Sequence, residues 1–157
     1  MLEIEQIDWS ELQHAYGRAG DVPAMLEAMY AGGQSRELWT DAWSCLCHQG
    51  DVYTASLAAL PFIVDAGIEV LRTDKVFAYH YLALPVEVEK ARGKFPHLKV
   101  DSAYSQGLVR INELIQLCEQ GNLDATTSQV LREAKGLLRG LGLLQVQQRG
   151  AGEGELF

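Results

Sequence analysis

The spacing of apolar residues predicts a chain built from helices, and the most distinctive pattern lies in two consecutive segments. In the first, residues 38–46, the apolar side chains recur at helical spacing with Trp39 and Trp43 beside them, which gives one broad apolar face. In the second, residues 55–66, only two residues are polar. A helix that is apolar on all sides is typical of the centre of a protein. We therefore expect the second segment to be buried and the other helices to pack around it.

A short turn separates these two segments. His48 and Gln49 precede Gly50, which can adopt the left-handed conformation that ends a helix. Within the second segment, Pro61 removes a backbone hydrogen bond and clashes with the preceding turn, at a cost of about 3 kcal/mol unless the helix bends. The pattern thus predicts a hairpin of two helices whose buried arm is kinked at Pro61.

Capping residues and apolar spacing predict further helices on both sides of this hairpin. An aspartate or a serine precedes each apolar stripe and can accept the free amide hydrogens of a first helical turn. The helix that follows Asp8 is short and ends at Gly17. The predicted helices begin at Asp8, Asp21, Ser35, Asp74, Asp101 or Ser102, and Asp124.

Two regions leave alternatives open. Pro85 lies in the middle of the pattern that begins at Asp74, so it either kinks one helix or separates two. Residues 76–82 are rich in aromatic side chains, as strands often are, but polar and apolar residues do not alternate there and a helix is the preferred interpretation. Residues 93–99, which contain Pro96, are predicted to be a loop.

These elements predict an all-α fold of about six to eight helices arranged as short antiparallel hairpins. The chain has 157 residues, of which 48% are apolar, and this is sufficient for one hydrophobic core. We expect a single helical domain over residues 1–141. The helical pattern decays after this point, so residues 142–157 are predicted to be a poorly ordered C-terminal tail.

The residues around the central turn also carry a resemblance. The string from His48 to Phe62 reads HQGDVYTASLAALPF and resembles the HQGxVYxASxxAxPF signature of bacterial helical proteins of the HEAT and armadillo type. This resemblance implies an all-α fold, a right-handed stack of helix hairpins, and no enzymatic activity. Some proteins of this kind resemble immunity proteins, which neutralise a toxin encoded beside them. The resemblance provides no catalytic residue for this chain.

The charge of the chain narrows the classes of partner. The formal net charge is −8, which argues against nucleic acid or an anionic membrane as a ligand. The excess of acid lies at the beginning of the chain, because residues 1–50 contain eight acids and two bases. A basic protein is therefore the partner that the charge favours. The exposed acids we expect to contact it are Glu11, Glu27, Glu37 and Asp41.

Membrane segments and disulfides are not predicted. No apolar run approaches the roughly 20 residues of a membrane-spanning helix, and the first residues lack the basic and apolar regions of a signal peptide. We therefore expect a cytoplasmic protein. Its three cysteines, Cys45, Cys47 and Cys118, lie in helical patterns and are interpreted as reduced core residues.

Cys45, Cys47 and His48 raise the alternative of a metal site or a nucleophilic cysteine. Two cysteines separated by one residue point to different sides of a helix, so a zinc site would need further ligands from His14, His80 or Cys118. A pair formed by Cys47 and His48 is also disfavoured, because adjacent residues of a helix do not face each other. We predict no metal and no cofactor.

Two clusters are candidates for contact with a partner. His48, Gln49 and Tyr53 lie at the turn, where the alternative is a purely structural corner. Tyr79 and His80 lie off the apolar stripe of their helix and would form an exposed aromatic patch, where the alternative is a tyrosine at the edge of the core.

The preferred function is a non-enzymatic protein-binding module of the immunity type, which binds and neutralises a basic toxin domain. An enzyme that uses a helical cleft around His48, Tyr53 and His80 is one alternative. A scaffold subunit of a larger assembly is another, and it would expose a broad apolar patch.

Overall fold

The computed structural model describes residues 3–146 of the chain, and six α-helices account for most of this range. Two short 3₁₀ turns and a two-stranded hairpin precede the helices. The turns are Ile4–Gln6 and Trp9–Glu11, and the strands are β1 (Gln13–His14) and β2 (Gly17–Arg18). The helices are α1 (Val22–Tyr30), α2 (Arg36–Leu46), α3 (Thr54–Val70), α4 (Ala78–Arg92), α5 (Ser102–Glu119) and α6 (Ala125–Gly140). The prediction of a mainly helical chain is confirmed.

Helix α3 is the centre of the fold. Thirteen of its 17 residues are buried, as the apolar segment predicts. Helices α1, α4 and α5 all pack against it, and α6 covers α4. Leu57 and Val64, which lie on either side of Pro61, are both buried. The most apolar helix of the chain is therefore the one that the other helices surround.

The two prolines in the middle of predicted helices, Pro61 and Pro85, both lie within unbroken helices. Helix α3 runs through Pro61, and α4 runs through Pro85 as a single helix, which decides between the two alternatives for that region. Pro61 lies against Gly107 of α5, where an added Cβ would be 3.1 Å from the Cα of Pro61. The two longest helices thus approach each other at backbone distance. A bend at Pro61 stays a prediction.

The beginning of the chain differs from the prediction, because residues 8–17 do not form a helix. The backbone amide of Gln13 donates to Thr54 Oγ1, and the amide of Ala15 donates to the carbonyl of Cys45. Gly17 has a φ of 126°, which a hairpin turn needs and a helix does not allow. Hydrogen bonds to distant residues replace those that a helix would make within itself.

The start of α4 is also corrected. Helix α4 begins at Ala78, four residues after the predicted start at Asp74. The carboxylate of Asp74 accepts the amide hydrogen of Val76 at 2.9 Å, which forms a local turn instead of a helix cap. The helix covers most of residues 76–82, so the strand alternative is wrong.

Three predicted helix starts are confirmed by their caps. Ser35, Asp101 and Asp124 each accept a hydrogen bond from the backbone amide three residues later. Asp21 precedes α1 but does not cap it, because its carboxylate binds His14 instead.

The first residues of the predicted tail are bonded to α5. The side-chain amide of Asn112 donates to the carbonyl of Leu143, and its oxygen accepts the amide hydrogen of Gln145 at 2.7 Å. The other residues of the predicted tail, 147–157, lie outside the described residues.

We expect Gly67→Ala to destabilise the fold by about 1 to 3 kcal/mol, because it overpacks the core. Gly67 lies in α3, and an added Cβ would be 2.8 Å from Leu114 Cδ2 and 3.0 Å from Tyr81 Cβ, both on fully buried side chains. Gly136→Ala is the control, because Gly136 in α6 has open space around it and alanine favours a helix by about 0.5–1 kcal/mol. Urea unfolding of the two variants measures the difference. An increase in stability for Gly67→Ala would contradict the described packing.

Candidate functional site

A groove lined by aromatic rings lies between α2 and the beginning of α4. Its volume is about 690 Å³, which is within the usual size of a ligand site. The aromatic side chains that line it are Trp39, Trp43, Phe77, Tyr79 and His80.

His80 is at the centre of this aromatic groove. The ring of Trp39 stacks on it with centroids 5.0 Å apart and an interplanar angle of 11°. The indole N–H of Trp43 donates to His80 Nδ1 at 3.1 Å. Burial lowers the pKa of His80, so the imidazole is neutral at pH 7. A neutral ring that accepts at Nδ1 carries its proton on Nε2.

The predicted patch of Tyr79 and His80 is therefore part of a larger site. Both side chains are half-buried and line the groove, together with two tryptophans that the sequence pattern assigned to the apolar face of α2. Trp39 is buried, whereas Trp43 is half-buried and points its N–H at His80. Trp39 and Trp43 lie four residues apart, which places them on one face of α2, and this spacing was the signal in the sequence. It predicts the groove only when the helix that packs against this face is known.

The turn between α2 and α3 forms a second candidate region, the corner. Helix α2 ends at Leu46, and the Ser56 hydroxyl donates to the carbonyl of Leu46. Gln49 and Gly50 both have positive φ, at 51° and 82°, which confirms the left-handed turn. His48 follows the end of α2 and pairs in a short β-bridge with Asp51.

The side chains at the corner face the tip of the β-hairpin. Tyr16 is 67% exposed and its ring centroid is 5.5 Å from that of His48, with the hydroxyl 3.4 Å from Nδ1. Gln49 is exposed, and Tyr53 is half-buried with its amide bonded to the Ser56 hydroxyl. The sequence pattern did not predict Tyr16 as part of this region, because residues 8–17 were assigned to a helix.

The groove and the corner lie near opposite ends of α4. His80 is in the first turn of α4, and Gly50 is next to Lys94, which follows the last turn. The 12 residues from His80 to Arg92 rise about 18 Å along a helix. His48 and Tyr53 are not among the residues that line the groove at His80.

The four acids predicted to contact a partner are all exposed. Glu11 follows Trp9, Glu27 is on α1, and Glu37 and Asp41 lie one turn apart on α2. Within residues 3–146 none of the four makes an ion pair.

The basic residues neutralise acids in a different part of the chain. The ion pairs that the structure describes between carboxylates and Lys or Arg join residues between 65 and 135. Two of them are buried on their acidic side, where Asp65 in α3 accepts from Arg110 and Glu89 in α4 accepts from Arg92, each at 2.7 Å. The excess negative charge of the first 50 residues is thus left facing solvent.

The structure brings together His14 and Cys45, which the sequence analysis named for a disfavoured zinc site, and adds Asp21, which it did not name there. Their ligand atoms lie within 4.8 Å of one another, which is close enough to consider a metal. However, His14 Nδ1 accepts the amide hydrogen of Tyr16 at 3.0 Å, so Nε2 carries the proton and donates to Asp21 at 2.9 Å. A ligating histidine instead donates its second N–H to an acceptor. The arrangement favours a structural link between the hairpin and α1.

The cysteines do not have the properties of nucleophiles. The pKa of Cys47 is raised to about 11, mainly because the thiol is buried and also because Glu87 raises it further. Burial also raises the pKa of Cys45, and Asp21 and Asp41 raise it further. Reactive cysteines have a lowered pKa, so these thiols are protonated at neutral pH.

Large exposed apolar side chains are scattered in the described part of the chain. They are found on separate segments of the chain. They are Tyr16, Val76, Val100, Leu141 and Val146.

Comparison of the chain with protein families, curated proteins and solved structures found no match. The resemblance of the segment from His48 to Phe62 therefore stays a prediction. None of the described helices has the length and apolarity required to cross a membrane.

We expect the stability of the protein to fall at acidic pH because of His80. Burial makes the pKa of His80 lower in the folded state than in the unfolded chain, so the unfolded chain binds the proton more readily as the pH falls below about 6.5. His80→Gln removes this titration. The free energy of unfolding of the wild type should therefore decrease relative to that of His80→Gln between pH 7.5 and 5.5, as measured by urea unfolding. The exposed His97→Gln is the control and should follow the wild type, whereas identical pH dependence in His80→Gln and the wild type would refute the assignment.

Proposed function

We propose that the protein is a non-enzymatic binding module of the immunity type, which binds and neutralises a basic toxin domain in the cytoplasm. One observation carries this proposal. Glu11, Glu27, Glu37 and Asp41 are exposed and unpaired among the described residues, in a part of the chain that contains few bases. Such a surface attracts a cationic partner and accelerates its association.

The electrostatic influence of Asp21 and Asp41 on one thiol supports an acidic surface that joins the start of α1 to α2. Both carboxylates raise the pKa of Cys45, so both are near the same side chain although 20 residues separate them in the chain. Asp41 is one helical turn from Glu37. Asp21 at the start of α1 and Asp41 on α2 therefore lie near the same side chain, and their fields add there.

The proposal includes a HEAT-like stack of helix hairpins as the scaffold of this surface. Consecutive helices contact each other in the pairs α1–α2, α3–α4 and α5–α6. In addition, α3 contacts α1 and α5, and α4 contacts α2 and α6. This order of contacts is the one that two layers of stacked hairpins produce.

The acidic surface is tested by the rate of association with a basic toxin domain encoded in the adjacent gene. The variant Glu11→Gln, Glu27→Gln, Glu37→Gln, Asp41→Asn removes four exposed charges. We expect association to slow by about tenfold or more at low salt, and the difference from the wild type to diminish at high salt, because these charges act through the screened field. Stopped-flow fluorescence at low and high salt measures both effects.

A matched variant controls for net charge. Gln106→Lys, Gln120→Lys, Asn122→Lys and Gln129→Lys change the net charge by the same amount at exposed positions on α5, α6 and their connection. We expect this variant to associate faster than the first one. Equal rates for the two variants would show that net charge matters and this surface does not, and failure of the wild type to suppress the toxicity of the domain in cells would refute the immunity function.

A further inference from the structure

The aromatic groove has one polar edge, and its chemistry is distinct from that of the acidic surface. This edge is lined by Arg36, Thr40 and Ser44, which lie at intervals of four residues on α2. Arg36 is exposed and makes no ion pair within residues 3–146. No carboxylate is among the residues that line the groove. The groove is therefore an aromatic surface with a single, unneutralised positive charge.

A second donor opens into the same groove. His80 accepts the Trp43 N–H at Nδ1, so its own proton is on Nε2. Nε2 has no partner among the described residues, and every buried side-chain nitrogen and oxygen there has one. Nε2 is therefore accessible to solvent, on a side chain that lines the groove. The guanidinium of Arg36 and the imidazole N–H of His80 are thus two nitrogen donors of the groove that have no acceptor in the described protein.

We infer that this groove is a binding site for a small planar aromatic molecule that carries a carboxylate. The ring would pack against the half-buried rings of Trp43 and Tyr79, and the carboxylate would accept hydrogen bonds from Arg36 and from His80 Nε2. Aromatic stacking and a charge-assisted hydrogen bond are the interactions that these side chains make best. The volume of about 690 Å³ accommodates a molecule of two fused rings.

The same chemistry selects against other occupants. An aromatic amine would bring its positive charge to Arg36 and would find donors where it needs acceptors. A neutral aromatic amide would keep the stacking but lose the charge of the carboxylate. The order of affinity among three such molecules of equal size therefore reports which interaction determines binding.

Nuclear magnetic resonance of the tryptophan indole N–H groups tests this inference on the full chain. The probes are naphthalene-2-carboxylate, naphthalene-2-carboxamide and 2-naphthylmethylamine. We expect the carboxylate to shift the Trp43 signal saturably and to bind at least about tenfold more tightly than the amide, which corresponds to about 1.4 kcal/mol. The amine should bind most weakly. Trp9 donates to Ile4 and packs against Phe62, so its signal is an internal reference that should not move.

Substitution of the cation separates charge from stacking. Arg36→Gln should weaken binding of the carboxylate about tenfold and leave binding of the amide unchanged. Arg132→Gln removes the same charge from an exposed position on α6 and should change neither. The inference is overturned if the carboxylate does not shift Trp43 saturably, if the amine binds as well as the carboxylate, or if Arg36→Gln retains the preference for the carboxylate.

Discussion

The fold depends on covering one helix on all of its sides. Helix α3 has almost no polar surface to leave in water, so α1, α4 and α5 must each pack against a different side of it. Such packing needs close approach. Gly67 makes room for Leu114 and Tyr81, and Gly107 lets α5 reach the backbone of α3 at Pro61. The small residues at these contacts set how near the helices lie, and this in turn fixes the aromatic groove and the corner at their edges.

Two polar residues within α3 show how this central helix is held in one orientation. The carboxylate of Asp65 accepts the Tyr30 hydroxyl from α1 and the Arg110 guanidinium from α5. The Ser56 hydroxyl binds the end of α2. A buried charge is costly to separate from its partner, so rotation or sliding of α3 would leave Asp65 without compensation. Apolar burial determines that α3 is central, and these polar contacts determine which of its sides each neighbour covers.

Much of the helical structure could be predicted because its signals are local. The caps at Ser35, Asp101 and Asp124 require only a side chain and an amide three residues away, and the left-handed turn at Gly50 depends on the backbone alone. The segment around Asp8 could not be predicted in this way. Its backbone bonds to Thr54 and to Cys45, residues that are distant in the sequence. Local propensity favours a helix there, and tertiary contacts override it.

The candidate sites also differ in how far the local sequence predicts them. Exposure of Glu11, Glu27, Glu37 and Asp41 follows from helical periodicity or from proximity to a turn, and it was predictable. The groove was not, because it arises only where α2 and α4 meet. Nothing in the local sequence states that Trp43 will donate to a histidine 37 residues later. The same holds for Tyr16, whose neighbour His48 is brought to it by the hairpin.

The carboxylates paired with arginines and the exposed acids lie in different parts of the chain. This separation has a consequence for how such a protein diversifies. The buried carboxylates Asp65 and Glu89, which accept hydrogen bonds from neighbouring helices, are each paired with an arginine. The carboxylates of Glu11, Glu27, Glu37 and Asp41, in contrast, face water and make no ion pair within residues 3–146. Substitutions at such surface positions usually change stability by less than about 0.5 kcal/mol. A duplicated copy could therefore exchange these acids one by one and acquire a different partner while its core sequence stays the same.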